Sequence, residues 1–179
     1  MNVVFLDFDG VINTPTGYDV NGSYRDNFNY SSDGIVNNYR AIQLLNQLCR
    51  ENDLAIVVSS KGGWRYSLRK DENGDYVIRN YRRILYDSGL DDHTYIYGHT
   101  PVTDFNKDME IKIFIEKHPE VDKFVILDDC AEEISADLRE YLVLCKTEEG
   151  FTEEKFREAV KVLRTQREIK RGNSYQENR

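Results

Sequence analysis

The feature that most constrains the fold is the segment 3–10, in which a continuous apolar run ends in two aspartates and a glycine. Val3-Val4-Phe5-Leu6 is apolar throughout rather than alternating, which predicts a strand buried on both faces, as in a parallel sheet. Such sheets carry their chemistry at the carboxyl ends of the strands. Asp7 and Asp9 stand at that end, and Gly10 permits a sharp turn after them. The segment therefore predicts an acidic site, whose carboxylate oxygens suit Mg²⁺.

Two later apolar runs also stop abruptly at polar residues. The run 54–58 ends at Ser59-Ser60, and the run 124–127 ends at Asp128-Asp129. Lys107 precedes a predicted helix over about 108–118, which leads into the second of these runs. These groups supply the other parts of a site beside Asp7 and Asp9.

The remaining segments alternate between helical and extended patterns. A helix capped by Ser32 or Asp33 is predicted to bury Ile35, Tyr39, Ile42, Leu45 and Cys49 on one face. Further predictions are a β-hairpin over 66–78 with an Asn73-Gly74 turn, a helix over 79–88, strands at 95–97 and 141–145, and a last helix from Thr152.

This alternation predicts an α/β fold with a doubly wound parallel sheet. The polar, aperiodic loop 14–33 and the hairpin 66–78 are expected to form a small lid, with no large cap domain. We expect a single domain over 1–165, followed by a basic and polar tail over 166–179.

Composition narrows the class of protein. With 179 residues, 40% hydrophobic and 31% charged, the chain suits one globular domain. The start MNVVFLDFDG lacks the basic region of a signal peptide, and no stretch is apolar enough to cross a membrane. Cys49, Cys130 and Cys145 are odd in number and lack a metal-binding spacing, which favours reduced thiols and a cytoplasmic location.

Charge is unevenly distributed along the chain. The net charge is −8, yet residues 155–171 hold seven Lys or Arg against two Glu, a net of +5. The negative net charge of the whole chain argues against a general nucleic-acid binder. The basic segment leaves two possibilities open, a solvated helix face or a binding role.

The ordered set of strand-DxDG, strand-Ser, Lys and strand-DD resembles the haloacid dehalogenase-like (HAD) phosphohydrolase superfamily over residues 3 to about 145. The segments DFDGVIN and VVSSKGGWR are most similar to the small HAD phosphatase domains associated with RNA-repair proteins.

The resemblance implies a two-step phosphatase mechanism. Asp7 would be the nucleophile that forms an aspartyl-phosphate, and Asp9 the general acid and then the general base. Ser59 would bind a phosphate oxygen, and Lys107 would neutralise the nucleophile and the phosphate, with Lys112 as the rival lysine.

The resemblance also implies a Mg²⁺ site and a set of residues that contact the substrate. Asp7, the backbone carbonyl of Asp9 and the pair Asp128-Asp129 would hold the ion. Since side chains alternate along a strand, Asp129 is favoured as the direct ligand, with Asp128 behind it or as a co-ligand. The residues expected to contact substrate are Gly10, Ser60 and Arg65.

The expected activity is that of a phosphomonoesterase, and the substrate stays open at this point. A nucleic-acid 3′-phosphate end or a nucleotide is slightly favoured, while sugar or other small metabolite phosphates are the alternative. A non-catalytic binding module on the same fold is the third possibility. The sequence indicates no obligate protein partner.

Overall fold

The computed structural model describes most of the chain. The described residues are 1–18, 24–26, 38–60, 68–70, 76–78, 81–103 and 106–174. Within them the strands are β1 (Asn2–Leu6), β2 (Thr16–Tyr18), β3 (Tyr24–Asp26), β4 (Leu54–Val58), β5 (Leu68–Lys70), β6 (Tyr76–Ile78), β7 (Ile96–His99), β8 (Lys123–Asp128) and β9 (Leu142–Leu144). The helices are α1 (Tyr39–Asn52), α2 (Tyr81–Asp87), α3 (Lys107–Lys117) and α4 (Glu153–Ser174).

Five of these strands form one parallel sheet in the order β7-β4-β1-β8-β9. At the carboxyl end of β1, Leu6 is in register with Val58 of β4 on one side and Leu127 of β8 on the other. The strand order reverses direction along the chain at the β1–β8 boundary, and ligands in open α/β sheets bind outside the carboxyl ends of the strands at such a switch point. The fold therefore brings the three polar strand ends together.

Both faces of the sheet are covered, which explains the continuous apolar runs. On one face, Val4 and Leu6 belong to a core shared with α1, α2 and α4. On the other, Val3 and Phe5 pack with α3, and the rings of Phe5 and Phe114 meet edge to face at 5.5 Å. The predicted doubly wound parallel α/β fold is confirmed.

The start of α1 differs from the sequence prediction. The helix begins at Tyr39, and the side chain of Asn38 caps it by accepting a hydrogen bond from the Arg40 N–H. The predicted cap at Ser32 or Asp33 is wrong, because Asn38 takes this role. Residues 32, 33 and 35 themselves lie outside the described part of the chain.

Within the described ranges, two short antiparallel strand pairs lie outside the main sheet. The loop predicted over 14–33 contains the antiparallel pair β2–β3, which its polar, aperiodic sequence did not indicate. The hairpin predicted over 66–78 is present as the antiparallel pair β5–β6, while its Asn73-Gly74 turn lies outside the described residues. Their role as a lid stays a prediction.

The last helix extends further than the sequence suggested. Helix α4 continues to Ser174, past residue 166, at which a tail was expected to begin. The Gln166 side chain accepts a hydrogen bond from the Phe124 N–H (3.1 Å) and donates one to the Phe124 carbonyl (2.7 Å). It thereby satisfies backbone groups of β8 where β9 does not reach, so residue 166 is part of the packed domain. None of the helices in the described ranges is both long and apolar enough to cross a membrane.

Candidate active site

Asp7 stands directly after β1, at the crevice between β1 and β8. Its N–H donates to the Leu127 carbonyl (3.0 Å), which continues the β1–β8 ladder by one residue. Its Oδ1 accepts hydrogen bonds from the Phe8 N–H (2.9 Å) and from the Ser60 hydroxyl. Its Oδ2 accepts one from the ammonium of Lys107 (2.9 Å). Both oxygens of this carboxylate, which is only 7% exposed, are thus fixed in direction.

Lys107 begins helix α3 and reaches into the same crevice. Its Nζ lies 2.9 Å from Asp7 Oδ2, 2.6 Å from Asp128 Oδ2 and 3.2 Å from Glu133 Oε2, and the residue is 2% exposed. Burial by itself would lower the pKa of Lys107, but the charges of Asp7 and Asp128 outweigh burial, so the pKa is raised. Lys107 is therefore a fixed positive charge among three carboxylates.

The rival lysine lies elsewhere. Lys112 Nζ is 2.9 Å from Asp137 Oδ2 and 3.8 Å from Asp108 Oδ2, on the partly exposed side of α3. The nearby Ser135 hydroxyl and then the ammonium of Lys112 hold the pKa of the Asp137 carboxyl below its usual range. The structure thus brings Lys107 to Asp7, and places Lys112 in a surface ion pair.

The carboxylates of Asp7, Asp128 and Asp129 converge, with one oxygen of each within 4.8 Å of the others. The Asp128 Oδ1 accepts a hydrogen bond from the Cys130 N–H (2.9 Å), and the Asp129 Oδ2 accepts one from the Thr147 hydroxyl (2.7 Å). The sequence analysis favoured Asp129 as the direct ligand and left Asp128 either behind it or as a co-ligand. In the structure both carboxylates face the cluster, because β8 ends at Asp128 and strand alternation does not extend to Asp129.

The electrostatics of this cluster favour a cation. Burial raises the pKa of Asp128, the charge of Asp7 raises it further, and Lys107 only partly opposes the change. The single ammonium of Lys107 contacts three carboxylates, those of Asp7, Asp128 and Glu133, and so leaves the cluster with an excess of negative charge. Their oxygens are the ligands that Mg²⁺ prefers, so the donor set fits a divalent cation.

Gly10 provides the room that the cluster needs. Its φ is +72°, and a Cβ on this residue would lie 2.0 Å from Oδ2 of Asp129. A larger residue would therefore be strained in its backbone and would displace one carboxylate of the cluster. This backbone proximity to Asp129 is what the structure shows for Gly10, whose predicted contact with substrate stays a prediction.

Asp9 lies beside the three-carboxylate cluster and not within it. Strand β1 ends at Leu6, so the alternation of side chains along a strand does not extend to Asp7 and Asp9. The Asp9 Oδ1 accepts a hydrogen bond of 2.6 Å from the side-chain amide of Asn13. The half-buried Asp9 carboxyl is thus oriented by a residue for which the sequence analysis proposed no role.

Of the two serines after β4, Ser60 is the one that contacts Asp7. Its hydroxyl donates to Asp7 Oδ1 and accepts a hydrogen bond from the Phe8 N–H (2.7 Å). Ser59, for which the sequence analysis predicted the contact with a phosphate oxygen, is as fully buried as Ser60, and its N–H donates to the Leu6 carbonyl (2.9 Å). The structure therefore assigns to Ser60 the position next to the carboxylate.

A known protein family matches most of the chain. A family described as the HAD domain in Swiss Army Knife RNA repair proteins matches residues 3–156. The chain belongs to this HAD family. The match supports a HAD-fold phosphohydrolase, and the cluster around Asp7 supplies a place for the divalent metal that is typical of HAD proteins. No curated protein gives a significant match.

Several residues of this HAD site carried no signal in the sequence. Asn13 orients Asp9, Glu133 contacts Lys107, and Thr147 orients Asp129. Each is a common residue type in an ordinary polar context, so only the fold brings it to the site. Arg65, predicted to contact substrate, lies outside the described residues.

Proposed function

We propose that this HAD protein is a Mg²⁺-dependent phosphomonoesterase that acts through an aspartyl-phosphate on Asp7. The observation that carries the proposal is the environment of the Asp7 carboxylate. Ser60 and the Phe8 N–H fix one oxygen, Lys107 fixes the other, and two further aspartates lie beside them. A buried carboxylate held in one orientation at the carboxyl end of a strand suits nucleophilic attack.

In the first step, an oxygen of Asp7 bonds to phosphorus while the bond from phosphorus to the leaving oxygen breaks. Asp9 gives its proton to that leaving oxygen, so that an alcohol departs. In the second step, Asp9 takes a proton from water, whose oxygen attacks phosphorus and breaks the bond to Asp7. Such proton transfers typically contribute about 10² to 10⁴ in rate.

The remaining residues of the site compensate the negative charge of the nucleophile and of the phosphate, or would hold the metal ion. Lys107 keeps a positive charge within 2.9 Å of Asp7, which reduces the repulsion between the nucleophile and an anionic phosphate. Asp7, Asp128 and Asp129 would hold Mg²⁺, together with the backbone carbonyl of Asp9. The bound ion would supply charge neutralisation of the transferring phosphoryl group.

For the substrate, we propose the phosphate of a nucleotide or of a nucleic-acid end, with a 3′-phosphate end favoured. The RNA repair proteins in which the matching domain occurs support this choice. The net charge of −8 favours instead a small sugar or metabolite phosphate. The cytoplasmic location and the reduced state of the thiols stay predictions.

The test is phosphate release with and without Mg²⁺ across a panel of substrates. The panel holds mononucleotides, sugar phosphates, a phosphotyrosine peptide, and oligonucleotides with a 3′- or a 5′-phosphate. We expect release that requires Mg²⁺, is lost in Asp7→Asn and is fastest with an oligonucleotide end.

Two results would contradict parts of this proposal. Preference for a sugar phosphate would reject end repair and retain the phosphatase. No release from any substrate, with wild type equal to Asp7→Asn, would instead favour a binding module on the HAD fold.

A further inference from the structure

The backbone makes a tight turn after β1, and hydrogen bonds to the backbone of Asn13 hold this turn. The Asn13 carbonyl accepts a hydrogen bond from the Gly10 N–H (2.8 Å), and the Asn13 N–H donates to the Phe8 carbonyl (2.7 Å). The residue is 3% exposed. These backbone bonds close the turn without any contribution from the Asn13 side chain.

The side chain makes a separate contact, with the carboxyl of Asp9. Its Nδ2 donates to Asp9 Oδ1 over 2.6 Å. An ionised carboxylate only accepts hydrogen bonds, so the amide must present its N–H₂ group to it. With Oδ1 held by this donor, the orientation of the Asp9 carboxyl is tied to the position of the Asn13 amide. The contact therefore helps to set the direction in which the two oxygens of Asp9 point.

We propose that Asn13 is a positioning residue that orients Asp9 for proton transfer to the leaving oxygen. The inference rests on the proposed function, in which Asp9 is the general acid. Misplacement of a catalytic group by about 1 Å can cost about 100-fold in rate. Because the backbone bonds of residues 8–13 maintain the turn, loss of the Asn13 side chain should affect chiefly the orientation of Asp9.

The experiment measures how kcat/KM depends on the leaving group in wild type, Asn13→Ala and Asp9→Asn. The substrates are p-nitrophenyl, phenyl and benzyl phosphate, whose leaving oxygens need increasing help from an acid. The value of kcat/KM reports the formation of the phosphoenzyme, before Asp9 acts as a base. We expect Asn13→Ala to lower kcat/KM for benzyl phosphate about 10- to 100-fold and for p-nitrophenyl phosphate about 3-fold or less.

Two further variants separate positioning from a structural role. Asn13→Asp keeps the shape of the side chain and replaces the donor with a like charge, so we expect it to show the same dependence on the leaving group as Asn13→Ala. It serves as the test variant if Asn13→Ala folds poorly. Asn46→Ala is the matched control. The buried Asn46 donates to the Gly89 carbonyl (2.9 Å) and accepts from the Asp91 N–H (3.0 Å), away from Asp9. This control should lower the melting temperature and leave the dependence on the leaving group unchanged.

The double variant Asp9→Asn/Asn13→Ala gives the decisive comparison. If Asn13 acts through Asp9, adding Asn13→Ala to Asp9→Asn should change kcat/KM for benzyl phosphate by less than about 2-fold. Equal losses for all three substrates, or full additivity in the double variant, would overturn the inference. If Asp9→Asn itself has wild-type dependence on the leaving group, the proposed role of Asp9 fails, and that result is distinct from failure of the inference about Asn13.

Discussion

Replacing Lys107 with methionine removes the ammonium from the acidic cluster while keeping most of the volume of the side chain. In the wild-type structure Nζ contacts carboxylate oxygens of Asp7, Asp128 and Glu133 at 2.9, 2.6 and 3.2 Å. Without Lys107, the buried carboxylates of Asp7 and Asp128 face each other uncompensated. The variant should therefore be destabilised by the electrostatics of the site, with little change in packing.

The expected magnitude follows from the burial of these groups. Lys107 is 2% and Asp128 0% exposed, and removing one partner of a buried ion pair typically costs about 3–5 kcal/mol. In a protein of this size, 1 kcal/mol shifts the melting temperature by roughly 2–4 °C. We therefore expect Lys107→Met to melt roughly 10 °C below wild type in the absence of divalent cations.

The pH dependence has a definite sign. Because the pKa of Lys107 is raised in the folded state, its contribution is fully present below the unfolded-state pKa and is lost only as the pH rises through the folded-state value. Because Lys107 lowers the pKa of Asp128, that pKa rises further in the variant, so the penalty of Lys107→Met should be largest above neutral pH. It should shrink as the pH falls, because Asp128 then takes up a proton.

The assay is thermal unfolding followed by circular dichroism, with and without Mg²⁺, and Lys112→Met is the matched control. Lys112 contacts Asp137 and Asp108 in a partly exposed position, where an ion pair is worth about 0–1 kcal/mol. Mg²⁺ should recover part of the stability lost in Lys107→Met. The reasoning is refuted if Lys107→Met is no less stable than Lys112→Met.

Three further predictions concern the same site. Gly10→Ala should cost roughly 1–2 kcal/mol in backbone strain and weaken stabilisation by Mg²⁺ in thermal melts, because the new Cβ would lie 2.0 Å from Asp129 Oδ2; unchanged Mg²⁺ stabilisation would contradict this. Ser60→Ala should lower kcat/KM for phosphate release about 10-fold or more, because a hydrogen bond to a charged group is worth about 1.5–3 kcal/mol. Ser59→Ala should lower kcat/KM by a smaller factor. A larger loss in Ser59→Ala than in Ser60→Ala would refute the assignment of Ser60 as the serine that acts on Asp7. Because the pKa of Asp128 is raised in the folded state, its carboxyl contributes stability below the unfolded-state pKa and loses that contribution as the pH rises through the folded-state value. Cation binding, in contrast, needs the ionised carboxylate. Stabilisation by Mg²⁺ should therefore grow from acid to neutral pH in wild type and not in Asp128→Asn.

Much of the sheet could be predicted because its strands are buried on both faces. The runs that end at Leu6, Val58 and Leu127 are continuous and apolar, and each forms a parallel strand of the sheet. The cap of α1 at Asn38 and the β2–β3 hairpin were missed. Short polar segments carry too little hydrophobic periodicity to locate such features.

The site could be predicted to the level of its strands but not to that of its contacts. Asp7 and Asp128 follow their runs directly, and the sheet topology brings them together. The choice between Ser59 and Ser60, and the inclusion of Asp129, depend on where each strand ends, and a shift of one residue reverses the direction of a side chain. The contact between Asn13 and Asp9 depends on a turn that the sequence pattern does not specify.

The most direct test of the account is to trap the phosphoenzyme. Asp9→Asn is treated with p-nitrophenyl phosphate and Mg²⁺, then quenched with hydroxylamine, which converts an aspartyl-phosphate to a hydroxamate that mass spectrometry locates. Because this variant lacks the base of the second step, we predict that the modification accumulates on Asp7 and is absent from Asp128 and Asp129. Release of p-nitrophenol with Asp7 unmodified, or modification of another residue, would contradict Asp7 as the nucleophile.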